Sequence, residues 1–182
     1  MLKVTSDLHL FHRNIVRLCA RPYADLEDMH ASMRRAWNTA VQSNDRVYII
    51  GDLCLSARVE AVAAMVNSLN GYKYLVPGNH DKKILRKVIP YLKDAEITDS
   101  IVEVTSGDDR YVLCHYPIES WNRRHHGAIH LHGHSHGNGS FLPNRVDVGW
   151  DVFGCPKPIN KSLVAEYKLY IETRSTTTAY HE

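Results

Sequence analysis

Val76-Pro77-Gly78-Asn79-His80-Asp81 follows the apolar pair Tyr74-Leu75 and indicates the end of a buried strand that opens into a Pro-Gly turn. The turn carries three different polar groups. An amide oxygen can bind a metal, an imidazole can carry a proton, and a carboxylate can orient that imidazole. Gly-Asn is also ordinary at a β-turn, so this stretch alone leaves the chemistry open.

The same kinds of side chain follow four other predicted strands. Strands at 2–4, 47–50, 110–114 and 128–131 are each followed by Asp or His. The side chains at all five strand ends are Asp7, His9, Asp52, Asn79, His115, His134 and His136. Ligands bind beyond the carboxyl ends of strands in open α/β sheets, so these groups are predicted to meet in one crevice. Asp7 and His9, like His134 and His136, are two residues apart and would share a face in extended backbone.

This set of donors indicates a metal centre. It mixes nitrogen and oxygen without thiolate, which suits Mn²⁺, Fe or Zn²⁺ better than Ca²⁺ or a structural zinc. Seven ligands are too many for one tetrahedral ion, whereas two ions sharing a carboxylate would use them all. Glycines precede Asp52, Asn79 and His134, where a residue without Cβ allows a sharp turn beside a crowded site.

The order of predicted elements indicates an α/β fold. Strands alternate with helices as far as position 76, which implies right-handed crossovers and a largely parallel sheet. The first long helix follows Asp25 as N-cap, the second follows Ser56, and their apolar stripes predict core faces. Later, the segments 97–105 and 110–114 predict a hairpin, and 145–148 and 162–171 predict late strands.

Length and composition favour one globular domain, placed at 1–172, with a flexible tail at 173–182. The beginning of the chain lacks the apolar segment of a signal peptide, and no apolar run could span a bilayer, which predicts a cytoplasmic protein without a membrane partner. The net charge of +2 gives no support to an extended nucleic-acid groove. Four scattered cysteines predict reduced, mostly buried thiols.

Five ordered blocks of the sequence resemble the calcineurin-like metallophosphoesterases. The blocks are Asp7-x-His9, Gly51-Asp52, Gly78-Asn79-His80-Asp81, His115 and Gly133-His134-x-His136. The resemblance covers 2 to about 150. It implies a four-layer α/β/β/α sandwich with two mixed β-sheets. It also implies that Asp7, His9 and His136 hold one metal, that Asn79, His115 and His134 hold the other, and that Asp52 bridges. After the last histidine the family's Asn-x-Gly-Ser is replaced by Asp147-Val148-Gly149-Trp150.

The resemblance implies two divalent ions, with Mn²⁺ favoured and Fe, Zn²⁺ and Ni²⁺ as alternatives. Two such ions and two Asp ligands leave a cleft charge of about +2, which should attract phosphate. His80 is the candidate that protonates the leaving oxygen or stabilises its charge, and Asp81 is predicted to orient its ring.

The expected substrate is a small phosphomonoester or phosphodiester, with nucleotides among the candidates, because the short connections between blocks leave no room for a capping domain. Candidate substrate contacts are His12, Trp121 and Arg123, although the segments that carry them fit an exposed loop equally well. Protein Ser/Thr phosphatase activity is the enzymatic alternative, and a non-catalytic scaffold on the same fold is the other.

Overall fold

A computed structural model describes residues 1–56, 58–81 and 83–178 of the chain. The strands are β1 Leu2–Thr5, β2 Arg46–Ile50, β3 Tyr72–Val76, β4 Ala95–Ile97, β5 Ile101–Ser106, β6 Asp109–Cys114, β7 Ile129–His132, β8 Arg145–Asp147 and β9 Lys157–Pro158. The α-helices are α1 Ile15–Leu18, α2 Leu26–Ala40, α3 Val59–Asn67, α4 Ile84–Val88, α5 Trp150–Phe153 and α6 Ser162–Thr178. Short 3₁₀ turns occupy Ile89–Tyr91 and Arg124–His126.

The first sheet has the order β4-β3-β2-β1-β9. Strands β1 to β4 run parallel, as the strand–helix alternation predicts, and β9 is added antiparallel at the edge beside β1. The parallel pairing brings the carboxyl ends of β1, β2 and β3 to one edge of this sheet.

The second sheet has the order β5-β6-β7-β8. The predicted hairpin is present as β5 and β6, although its first strand begins at Ile101, because Ile97 belongs to β4 in the other sheet. Strands β6, β7 and β8 are parallel to one another, since the connections between them cross back over the sheet. The carboxyl ends of β6 and β7 therefore also share an edge.

Two cores confirm the sandwich of two mixed sheets with flanking helices. Helices α2, α3 and α4 cover the outer face of the first sheet, and Met29, Met33 and Trp37 form the buried stripe of α2. Asp25 caps α2 by accepting a hydrogen bond from the Asp28 N–H at 2.9 Å, as predicted. The second core lies between the sheets and includes residues of β1, β2 and β3 together with residues of β6, β7 and β8.

Residues 162–171 form a helix, so the strand predicted there is wrong. Leu163 and Tyr167 of α6 are buried four residues apart in the inter-sheet core, which is a helical spacing. The Ile and Tyr content of the segment favours a strand locally, but burial of this stripe beside β8 decides for the helix. The helix continues through Thr178 and passes the predicted tail boundary at 172, while 179–182 lie outside the described residues.

The structure also bears on the start of the second long helix, on the state of the cysteines and on the prediction about membrane spans. Helix α3 begins after Arg58 rather than after Ser56, whose hydroxyl accepts a hydrogen bond from the Arg58 N–H. All four cysteines are free thiols, and Cys54 and Cys114 are buried. Among the described residues, no helix combines the length and apolar character that a bilayer crossing requires.

Candidate metal centre

The two sheets bring all seven strand-end side chains to one place. Asp7 and His9 follow β1, Asp52 follows β2, and Asn79 follows β3 in the first sheet. In the second sheet His115 follows β6, and the pair His134 and His136 follows β7. Each contribution comes from the carboxyl end of a parallel strand, which is the physical reason that the sequence places them together.

One group of ligand atoms is formed by Asp7, His9 and His136. The Asp7 Oδ1 atom lies 3.8 Å from His9 Nε2 and 3.9 Å from His136 Nε2. One ligand atom from each of the three side chains lies within 4.8 Å of the other two. These separations suit three donors arranged around one ion at about 2.1 Å from each.

A second group surrounds Asn79. Its Oδ1 atom lies 2.9 Å from His115 Nε2 and 3.1 Å from His134 Nδ1. Asp52 lies between the two groups, because its Oδ2 atom is 3.5 Å from His115 Nε2 and 3.6 Å from His9 Nε2. One carboxylate oxygen therefore faces both groups, which is where a bridging ligand would have to be.

The site passes a direct test of fit to metal ions. His9 Nε2 is buried without a hydrogen-bond partner among the described residues, although it points at two carboxylates. Burial, with a smaller contribution from the charge of His136, lowers the pKa of His9 to about 2, so its imidazole is neutral. A neutral imidazole has a free lone pair, which is the form that ligates a metal.

Burial raises the pKa of Asp7 to about 8 against the opposing charge of His136 and the hydrogen bond from Ser6. The Ser6 hydroxyl lies 2.6 Å from Asp7 Oδ2. A buried carboxylate is costly unless a cation compensates it. A metal cation between these side chains would therefore compensate the buried Asp7 carboxylate and accept the free lone pair of His9.

The backbone at the ligands is left-handed rather than extended. The φ angles are +55° at Asp7, +49° at His9, +53° at Asp52, +68° at His134 and +48° at His136. The same-face argument from extended backbone is therefore wrong in its geometry, although both pairs do converge. Non-glycine residues rarely adopt this region, and when they do they cluster at functional sites.

All three glycines that precede predicted ligands are required by space, and a Cβ atom on Gly51, whose φ is +83°, would overlap the His115 ring. A Cβ atom on Gly133 would overlap the Ser6 hydroxyl and the Asp7 carboxylate, and one on Gly78 would overlap the Asp52 carboxylate. Neither has a positive φ, so close approach of the ligands, not a special turn, requires glycine there.

The sequence analysis missed a buried ion pair behind His136. Asp151 Oδ2 lies 2.7 Å from His136 Nδ1, and the Arg21 guanidinium donates to both Asp151 oxygens at 2.7 and 2.9 Å. Burial would raise the pKa of Asp151, but hydrogen bonds from His136 and Arg21 outweigh it and lower the pKa to about 2. Arg21 also donates to the carbonyl oxygens of Asp7 and Leu8, so it ties this pair to the first ligand loop.

Asp81 has a different role from the predicted one. Its carboxylate is 1% exposed and accepts hydrogen bonds from the backbone N–H groups of Asp52, Leu53 and Gly78 at 2.6, 3.0 and 2.9 Å. Among the described residues it therefore bonds backbone amides and not the His80 ring. The correction has a simple cause: the turn buries the side chain against amides that have no other acceptor.

Asp147 stabilises the loop that carries His134 and His136 by accepting hydrogen bonds from its backbone, as Asp81 does for the backbone around Asp52 and Gly78. It is buried at the end of β8 and accepts from the Ser135 hydroxyl and from the Gly137 and Gly149 N–H groups, at 2.7, 2.9 and 2.8 Å. This residue opens the segment that departs from the family's Asn-x-Gly-Ser pattern. The departure therefore supports the loop that carries His134 and His136.

His80 and His12 lie beside the ligands. The backbone N–H of His80 donates to Asp52 Oδ1 at 3.1 Å, the ring Nε2 atom lies 4.0 Å from Asp52 Oδ2, and the side chain is 44% exposed. The His12 ring lies 5.4 Å from that of His9. Burial, with a smaller contribution from the charge of His80, lowers the pKa of His12.

Tyr116, which the sequence analysis missed although it directly follows His115, is exposed with its ring 5.0 Å from that of His134.

Trp121 and Arg123 are not at the site, contrary to their prediction as substrate contacts. Trp121 is 7% exposed, packs with Val112 and Ala128, and donates its indole N–H to the Ala128 carbonyl oxygen at 2.8 Å. It covers the outer face of the second sheet, whose apolar side chains need a cover. Arg123 lines a small cavity with Glu103 beside the β5–β6 hairpin.

Comparisons with known proteins agree with this geometry. Residues 2–154 match the family described as calcineurin-like phosphoesterase. An uncharacterised protein of Methanocaldococcus jannaschii is 33% identical over 135 residues, covering 73% of this chain and 68% of that protein.

Two solved structures share the fold. A protein of unknown function from Aquifex aeolicus superposes with a TM-score of 0.67 and 18% identity, covering 86% of this chain and 94% of that one. Pseudomonas putida nuclease MPE has a TM-score of 0.50 and 22% identity, covering 74% of this chain and 61% of its own. Because the matched segment spans most of the chain and contains all seven strand-end side chains, the chain belongs to the calcineurin-like phosphoesterase family.

Proposed function

We propose that the protein hydrolyses small phosphodiesters or phosphomonoesters with two divalent metal ions, of which Mn²⁺ is the favoured choice. The observation that carries this proposal is the position of Asp52, with one oxygen 3.5 and 3.6 Å from histidine nitrogens of both ligand groups. When bound, the ions supply Lewis-acid charge and an activated water molecule. Asp7, His9 and His136 would hold one ion, and Asn79, His115 and His134 the other.

The protein groups around the ligands can complete a hydrolysis. Water adds to phosphorus, the bond from phosphorus to the leaving oxygen breaks, and the leaving oxygen needs a proton unless it is already a weak base. His80 is exposed, lies against the bridging carboxylate and is not needed as a ligand, so it is placed to give that proton. The products are an alcohol and a phosphate with one ester bond fewer.

The test is metal removal and restoration. Protein stripped with EDTA and then given Mn²⁺ should regain hydrolysis of bis-p-nitrophenyl phosphate or p-nitrophenyl phosphate. Asp52→Asn should lose this activity and bind less metal in both groups, because a neutral amide is a weaker bridge. Asp109→Asn is the matched control, since Asp109 pairs with Lys161 on the surface.

One result would overturn the proposal, and a second would overturn only the bridging role of Asp52. If the reconstituted protein carried two ions per chain and hydrolysed neither ester, the fold would serve as a non-catalytic scaffold. If Asp52→Asn retained two ions, the bridging assignment would be wrong.

A further inference from the structure

A cavity opens beside His80. Its volume is about 390 Å³, and its lining includes His80, Lys83 and Lys87 together with Leu55, Ser56 and Ile84. The cavity thus begins at the group that we place next to the leaving oxygen. A leaving group that departs from the phosphorus on the His80 side would enter this space.

Two ammonium groups border the cavity. Lys83 precedes α4 and Lys87 lies four residues later, a spacing that puts both side chains on the same side of the helix. Both are exposed, and in the part of the chain that the structure describes neither pairs with a carboxylate. Like charges at this spacing repel each other, so the arrangement is unfavourable until an anion lies between them.

Apart from Ser56, the rest of the cavity lining is apolar. Leu55 is 40% exposed there, and Ile84 forms part of the floor. An apolar floor with a cationic rim fits an organic group that carries its own anion. An isolated inorganic ion would leave the apolar floor uncovered.

We propose that the substrate is a phosphodiester whose leaving group carries a second phosphate, as in a short oligonucleotide, and that Lys83 and Lys87 bind this second phosphate. This inference rests on the proposed function. Hydrolysis adds water across one P–O bond: the departing oxygen takes a proton and keeps its own phosphate, and the other product is a phosphomonoester. The recognition is local to one further phosphate and requires no extended groove.

The experiment compares three substrates on the manganese-loaded protein. Bis-p-nitrophenyl phosphate has no second phosphate, the dinucleotide TpT has none either, and the trinucleotide TpTpT has one on the leaving group for one of its two linkages, whichever polarity the enzyme uses. TpTpT offers two linkages for cleavage and TpT offers one, so we expect kcat/KM for TpTpT to exceed that for TpT by clearly more than twofold, and this excess to fall as salt rises, because exposed charges are screened.

The lysines are tested by Lys83→Gln combined with Lys87→Gln. The double variant should lower kcat/KM for TpTpT about tenfold more than for TpT or bis-p-nitrophenyl phosphate, as exposed charge-assisted contacts to phosphate allow. Arg86→Gln is the matched control, because Arg86 is an exposed cation of the same helix outside the cavity lining.

The outcomes separate the two proposals. If the wild-type protein fails on every substrate, the proposed function fails. If it hydrolyses bis-p-nitrophenyl phosphate but cleaves TpT and TpTpT equally well per linkage or not at all, the leaving-group pocket is overturned while the function stands. Equal losses on all substrates, or equal effects of Arg86→Gln, would likewise overturn the role of the two lysines.

Discussion

At the scale of single residues, the buried pair of Arg21 and Asp151 explains how His136 is held. The Asp151 carboxylate fixes the Nδ1 side of the ring at 2.7 Å, which leaves the Nε2 atom directed at Asp7. A carboxylate behind a histidine ligand sets its tautomer and orientation and raises its basicity.

Asp151→Asn should therefore weaken one ion selectively. Loss of such a partner typically lowers metal affinity about 10- to 100-fold, and here only the group of Asp7, His9 and His136 depends on it. A calorimetric titration with Mn²⁺ should show one weakened and one unchanged site. Asp109→Asn should change neither, and equal weakening of both sites in Asp151→Asn would mean that the carboxylate supports the fold rather than His136.

His80→Ala should keep its metals and lose turnover. A general acid contributes about 10²- to 10⁴-fold, and the loss should depend on the leaving group. The loss of turnover should be small for a p-nitrophenyl ester, because p-nitrophenolate departs without a proton. It should reach its full size for an alkyl ester, whose leaving oxygen needs that proton. His125→Ala on the exposed 3₁₀ turn is the control, and equal defects on both esters would favour phosphate positioning over proton transfer.

Residue type and order were enough to predict that the seven strand-end side chains lie together, because they follow recognisable apolar strands. The same information could not reveal Arg21, whose guanidinium acts through carbonyl oxygens of a loop and a carboxylate 130 positions away. Asp81 and Asp147 were equally inaccessible, since their partners are backbone amides and any residue can supply those. Trp121 was misplaced because proximity in sequence to His115 says nothing about the direction in which the loop leaves.

At the scale of elements, α2 and α6 show what periodicity can and cannot predict. Met29, Met33 and Trp37 recur every four residues and an N-cap residue precedes them, so this segment predicts a helix and not a strand. In α6 the apolar residues are nearly continuous, so periodicity does not distinguish a strand from a helix. Only the packing of Leu163 and Tyr167 in the core between the sheets determines that the segment is a helix.

Leu163→Ala tests whether α6 is part of the core. Leu163 is fully buried, so truncation should lower the free energy of unfolding by about 2 to 5 kcal/mol. Leu169→Ala on the same helix is the matched control, because Leu169 is 61% exposed and its loss should be within about 0.5 kcal/mol. Urea unfolding followed by circular dichroism measures the free energy of unfolding of both variants. Equal losses in the two variants would mean that α6 is not part of the core.

At the scale of the whole molecule, the candidate metal centre lies where the two sheets meet. Asp7, His9, Asp52 and Asn79 come from the first sheet, and His115, His134 and His136 come from the second. The inter-sheet core joins the sheets by apolar contact, with Val4, Ile50 and Val76 on one side and Tyr111, Leu113 and Leu131 on the other. At the ligand edge the contact is polar, and the Asp52 charge adds to the factors that raise the pKa of Asp7.

Metal binding should therefore stabilise the fold as a whole. An ion at about 100 times its dissociation constant adds about 2.7 kcal/mol to the native state if it binds the unfolded chain negligibly. For a chain of this size each kcal/mol raises Tm by about 2 to 4 °C, so Mn²⁺ should raise the Tm of stripped protein by about 5 to 10 °C for each site filled. Differential scanning fluorimetry with increasing Mn²⁺ measures the shift. Asp52→Asn should show a much smaller rise, because the bridge between the sheets is weakened, and an unchanged Tm in the wild-type protein would mean that the ligands do not join the two sheets through metal.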